Sequence, residues 1–186
     1  MSIYGDLDFS IIKELPPGRK QIKTYLMGEN NRLRLFKFIR EQIKSAIVNG
    51  AINIIDKSNF KISDENNCYV SPAILTNVDH TMKFMTDETF GPSVGIMKVS
   101  NENEAEKLMN DSPYGLTASI WTSDKDFALS FGKRINTGTF FMNRCDYLDP
   151  GLAWTGVKDT GVGVTLSVLG FNHLTRAKSY HYRTID

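Results

Sequence analysis

In Asp87-Glu88-Thr89-Phe90-Gly91-Pro92 a carboxylate and an aromatic ring stand two residues apart on a short segment that stops at Gly-Pro. Residues i and i+2 of an extended chain share a face, so Glu88 and Phe90 would point the same way. An ionised Glu can accept from both hydroxyls of a ribose, and a hydrogen bond to a charged group is worth roughly 1.5–3 kcal/mol. A Phe ring beside it covers an apolar or flat face. The plainer alternative is a strand opening with an exposed acid and a core Phe, and six residues do not separate the two readings.

Nucleophilic chemistry has a weaker claim. Cys145 sits in Asn143-Arg144-Cys145-Asp146, where Arg144 would favour a thiolate and Asp146 would oppose it. His80, His173 and His181 are scattered along the chain, and Cys68 follows Asn66-Asn67 with no activating group beside it. Nucleophile, base and oxyanion donors must converge for catalysis, and no catalytic residue is assigned. Neither Cys-x-x-Cys nor Cys/His spacing suggests a metal. Gly161-Val162-Gly163 is too short for a dinucleotide-binding Gly-x-Gly-x-x-Gly turn.

A wider ordered series surrounds the central motif. Tyr69-Val70-Ser71-Pro72-Ala73-Ile74-Leu75-Thr76-Asn77-Val78 precedes it, and Asn110-Asp111-Ser112-Pro113-Tyr114-Gly115-Leu116-Thr117-Ala118 follows. Gly138-Thr139-Phe140-Phe141-Met142-Asn143 and Trp154-Thr155-Gly156-Val157-Lys158 complete the order. From about Ile43 to Asp186 this series resembles the C-terminal part of the aldehyde dehydrogenase superfamily. The resemblance implies that Glu88 and Phe90 contact the nicotinamide-side ribose and the nicotinamide of NAD or NADP. It also implies that Asp146, Leu148 and Trp154 line a substrate channel, with Asn143 as a loop anchor and Tyr147 nearby. Complete relatives would oxidise a small aldehyde to an acid, with a cysteine nucleophile and a glutamate base upstream of the residues present here. Where family members often carry Ser-Gly-x-Gly-Arg-Glu, this chain has Thr160-Gly161-Val162-Gly163-Val164-Thr165 and lacks the basic residue.

Residues 4 to 45 point elsewhere. Tyr4-Gly5-Asp6-Leu7-Asp8, Ser10-Ile11-Ile12 and Glu14-Leu15-Pro16-Pro17-Gly18-Arg19-Lys20, followed by Ile22-Lys23-Thr24-Tyr25, resemble the opening of the second motor domain of RecG-type ATP-dependent DNA helicases. Arg19, Lys20, Lys23, Arg32, Arg34, Lys37 and Arg40 could neutralise phosphates. No Gly-x-x-x-x-Gly-Lys-Ser/Thr phosphate loop accompanies them, so a solvated basic face is the expectation and no nucleic-acid partner is expected.

Composition sets outer bounds. The 186 residues are 41% hydrophobic and 11% aromatic, values of a globular chain able to bury a core. With Lys+Arg 22 against Asp+Glu 21 the formal net charge is +1, so no global field favours polyanions. The two cysteines, the polar residues after Met1 and the lack of a long apolar run suggest a reducing, cytoplasmic setting without signal peptide or membrane span.

The elements that must position these residues follow from spacing. Phe36, Ile39, Ile43 and Ile47 recur at three and four and predict an amphipathic helix from about Arg32 to Asn49-Gly50. Strands are expected at Ile52–Ile55, Tyr69–Val78 with a break at Pro72, Ser93–Val99, Thr117–Thr122 and Gly138–Asn143. A helix opening at Ser100-Asn101-Glu102 would turn Ala105, Leu108 and Met109 inward, and Ser123 would cap another, with Asp126 as its box acid. Such alternation predicts an α/β fold, layered on a largely parallel sheet as in the aldehyde dehydrogenase catalytic domain, partial, with an N-terminal appendage. The expected division is residues 1–42, helicase-like, and 43–186, dehydrogenase-like. Lys178-Ser179-Tyr180-His181-Tyr182-Arg183 alternates as an edge strand does, and the resemblance implies a homo-oligomer joined through that C-terminal strand. The chain is expected to be a truncated or fused piece of an NAD(P)-dependent enzyme, inactive alone. The alternatives are a DNA-binding helicase remnant and a non-catalytic oligomerising module.

Overall fold

The computed structural model describes residues 22–23, 29–56, 60, 69–145 and 147–185. Most of the helicase-like segment, together with Cys68 and Asp146, lies outside them. The chain divides into two compact units, one ending at Asn101 and the other beginning at Glu102.

In the first unit β1 (Ile22–Lys23) precedes α1 (Glu29–Val48), β2 (Ile52–Asn53), β3 (Tyr69–Val70), β4 (Ala73–Thr76), α2 (Lys83–Thr86) and β5 (Ser93–Gly95). The apolar periodicity of α1 holds, but its inward stripe is Phe36, Ile39, Ile43 and Ala46, each 7% exposed or less, whereas Ile47 is 40% exposed. Gly50, at φ +102°, ends the helix in the left-handed region that glycine enters without a Cβ penalty. This stripe packs with Ala73, Leu75, Val78, Met82 and Phe84 into one core, each large side chain contributing about 1.5–3 kcal/mol on burial. α1 runs unbroken through the expected boundary at residue 42/43.

β4 is the centre of a three-stranded sheet, antiparallel to β2 and parallel to β5. Leu75, fully buried, is paired on one side with Asn53 and on the other with Gly95. β2 and β5 are shorter than the apolar runs suggested, and Ile52 is 58% exposed.

The second unit contains α3 (Glu102–Asn110), β6 (Tyr114–Gly115), β7 (Thr117–Ile120), α4 (Lys125–Gly132), β8 (Thr139–Met142), β9 (Trp154–Thr155), β10 (Val157–Lys158), β11 (Val164–Thr165) and α5 (Ser167–Leu174). β7 and β8 run parallel over four residue pairs, while β6–β10 and β9–β11 are antiparallel pairs of two residues each. The longest ladders in both units are thus parallel, with short antiparallel pairs added to them, and the architecture is α/β. Ile120, Ala128, Phe131 and Ile135 form the second core. Ala105 packs against it, but Met109 is 37% exposed, so the inner face of α3 is narrower than its spacing implied.

One expectation changes here. Asp124, not Ser123, caps α4, because its carboxylate accepts from the Phe127 amide three residues on. Lys178–Arg183 joins no ladder among the described residues; its Tyr180 and Tyr182 rings instead stack at 6.0 Å, with both side chains exposed.

Candidate functional site

The central motif leaves α2 as extended chain: Asp87 has φ −92° and ψ 145°, and its amide donates to the Lys83 carbonyl. At the other end Gly91 lies so close to α1 that a Cβ would come within 2.7 Å of the Ile39 side chain. The Pro92 carbonyl then accepts from the Ala73 amide at 2.9 Å and leads into β5. Between these anchors three side chains face solvent, those of Asp87, Glu88 and Phe90, and one does not. Thr89 is half-buried and donates to Gln42 Oε1 of α1 at 2.9 Å, while Glu88 and Phe90 are exposed. Phe90 is 63% exposed, which removes the core-Phe reading of the motif. The Glu88 carboxylate makes no hydrogen bond or ion pair within the described chain, so all its lone pairs are available to a ligand. Asp79, before α2, is held below the ordinary carboxylate range by the Thr81 hydroxyl and backbone amide and takes no part in this edge.

The second unit holds the other expected site residues. Asn143, at φ 55°, fixes the loop after β8 by a two-point clamp: its Oδ1 accepts from the Thr122 amide at 2.9 Å and its Nδ2 donates to the Thr122 carbonyl at 2.8 Å. Leu148 is 56% exposed beyond it. The Arg144 guanidinium lies 3.8 Å from the centre of the Tyr147 ring, a cation–π contact that holds it over the tyrosine. Cys145 is a free, exposed thiol. Trp154, expected in a loop, opens β9 opposite Thr165 and is half-buried. It borders a cavity of about 370 Å³ with Leu116, Thr160, Val162, Val164 and His173. Leu148 and Trp154 belong to the second unit, Glu88 and Phe90 to the first, and Asp146 lies outside the described residues. Among the described residues no group of His, Cys, Asp and Glu could hold a metal ion, and no helix is long and apolar enough to cross a membrane.

Gln42 is the functional candidate that sequence reading passed over. A lone Gln among charged helix residues carries no motif, and its partner lies 47 residues away.

Comparisons with known proteins establish the family. The sequence model of the aldehyde dehydrogenase family matches residues 10–180, and so takes in most of the segment compared above with RecG. The chain is 32% identical to aldehyde dehydrogenase [NAD(P)+] 1 of Saccharomyces cerevisiae, covering 76% of this chain and 29% of that protein. Succinic semialdehyde dehydrogenase from Streptococcus pyogenes, solved with NADP+, superposes with a TM-score of 0.68 at 33% identity, over 75% of this chain and 30% of that one. Mycobacterium tuberculosis aldehyde dehydrogenase, solved with NAD+, gives a TM-score of 0.68 at 30% identity, over 81% of this chain and 30% of that one. The chain therefore spans under a third of the length of these relatives, and it belongs to the aldehyde dehydrogenase family.

Proposed function

We propose that this chain carries the nicotinamide-facing edge of an NAD(P)-dependent aldehyde dehydrogenase. The observation that carries the reading is the outward pair of Glu88, with an unengaged carboxylate, and Phe90, 63% exposed on the same side of the segment. That pair fits the ligand: the carboxylate can accept from both ribose hydroxyls while the ring covers a flat face. NAD or NADP, when bound, supplies the hydride acceptor for oxidation of an aldehyde to a carboxylic acid. The chain's own contribution is to hold the ribose at Glu88 and to limit tumbling of the ring at Phe90. Asp146, Leu148 and Trp154 would guide a small aldehyde. Lys178–Arg183, with no ladder partner in the described chain and two exposed tyrosines, would pair with a second copy.

Taken alone, the pair supplies few of a dinucleotide's contacts, most of which come from a Gly-rich turn at a helix N-terminus. Calorimetry on the 186-residue chain is expected to give an NAD dissociation constant weaker than about 1 mM, or no heat. Submicromolar binding that Glu88→Gln leaves unchanged would place the cofactor elsewhere.

A helicase remnant that binds DNA is the rival reading for residues 4–45. The family match through most of that segment favours the dehydrogenase assignment. Arg34 and Lys37 are exposed on α1 and can reach few phosphates, so any DNA affinity should vanish near physiological salt. Tight binding to branched DNA that is lost on mutating Arg19 and Lys20 would reverse this assignment.

A further inference from the structure

Gln42 is a polar side chain buried among the apolar inward residues of α1, at 5% exposure. Its Oε1 accepts from Thr89, but its Nε2 is buried without a hydrogen-bond partner. An unsatisfied buried donor is destabilising, and a Leu at that position would avoid it beside Ile39 and Ile43. Stability therefore does not account for the residue, and an unpaired group of this kind calls for another explanation. What Gln42 does is draw Thr89 inward. Thr89 lies between the Asp87 amide bond to α2 and the tight approach of Gly91 to Ile39. Because neighbouring side chains of an extended segment face opposite ways, holding Thr89 inward sets Glu88 and Phe90 outward together.

We propose that Gln42 is the positioning residue of the Glu88–Phe90 pair, clamping Thr89 so that carboxylate and ring are presented in one orientation before a ligand arrives. Preorganisation of this kind lowers the ordering cost of binding. The functional meaning rests on the cofactor reading above, whereas the clamp itself can be tested without cofactor.

The test is backbone ¹⁵N relaxation on the full chain, with thermal melting in parallel, for Gln42→Leu, Thr89→Val and Thr89→Ser. Order parameters at residues 88–90 are expected to fall from about 0.85, rigid, to below about 0.6 in the first two variants. They should stay high in Thr89→Ser, which keeps the hydroxyl. The melting temperature of Gln42→Leu is expected to change little, since removal of the unpaired donor offsets loss of the Thr89 hydrogen bond. Thr89→Val changes a half-buried position and answers the question even if Gln42→Leu misfolds. Unchanged order in a folded variant would overturn the proposal. So would a loss of order spread through the whole first unit with a lowered melting temperature, because that is what a merely structural residue does. The cofactor reading fails separately, if NAD shifts resonances elsewhere in the unmutated chain and none at residues 88–90.

Discussion

Assayed alone with NAD or NADP and small aldehydes, the 186-residue chain is expected to show no oxidation above background, and Cys145→Ala is expected to change nothing. A catalytic thiol needs a base within hydrogen-bond reach and donors aimed at the developing oxyanion. Cys145 is exposed. The adjacent cation, Arg144, is stacked on Tyr147. Among the described residues no histidine is hydrogen-bonded to Cys145. Enzymes typically gain 10⁶-fold or more over the uncatalysed reaction, so a preparation with genuine turnover would be unmistakable. Turnover that disappears in Cys145→Ala would make this thiol the nucleophile and overturn the assignment.

The second large effect is structural. Gly138→Ala is expected to destabilise the second unit by more than about 4 kcal/mol, at the exceptional end for a point substitution, or to prevent its folding. A Cβ at Gly138 would stand 1.6 Å from the Thr155 carbonyl oxygen and 2.5 Å from its carbon. Both are backbone atoms, so no rotamer change relieves the clash. Any shift would also pull on the Gly138 amide, which donates to the Gly115 carbonyl at 3.1 Å, and on β8 just after it. Gly151→Ala is the control. There the nearest atom is the Asp149 Oδ1 at 3.2 Å, and a change within about 0.5 kcal/mol is expected. Urea unfolding followed by circular dichroism measures both, and equal midpoints for the two variants would show that β8 and β9 are not seated as described.

Much of the local architecture was legible in residue order. Spacing placed α1, α3, α4 and the ladder strands β7 and β8, because apolar periodicity reports which face of an element is buried. Its errors are local. Ile47 and Ala46 are neighbours on the same helix, and a count of spacings selects the larger side chain, while the core admitted the smaller. Ser123 and Asp124 are both good capping residues, and the turn of the backbone after Thr122 chose between them. Trp154 reads as loop because its two-residue strand has no periodicity to detect.

For the site, residue order alone singled out Glu88 and Phe90 and predicted that they share a face, since side chains alternate along an extended backbone. It also carried the family relationship through motifs spread from Tyr69 to Lys158. Only the tertiary structure decided that the ring is exposed, that Thr89 is turned inward, and that Gln42, 47 residues earlier, is what holds it. The reason is physical: exposure and hydrogen-bond partners depend on which segments pack against each other, and periodicity within one segment contains no information about its neighbour.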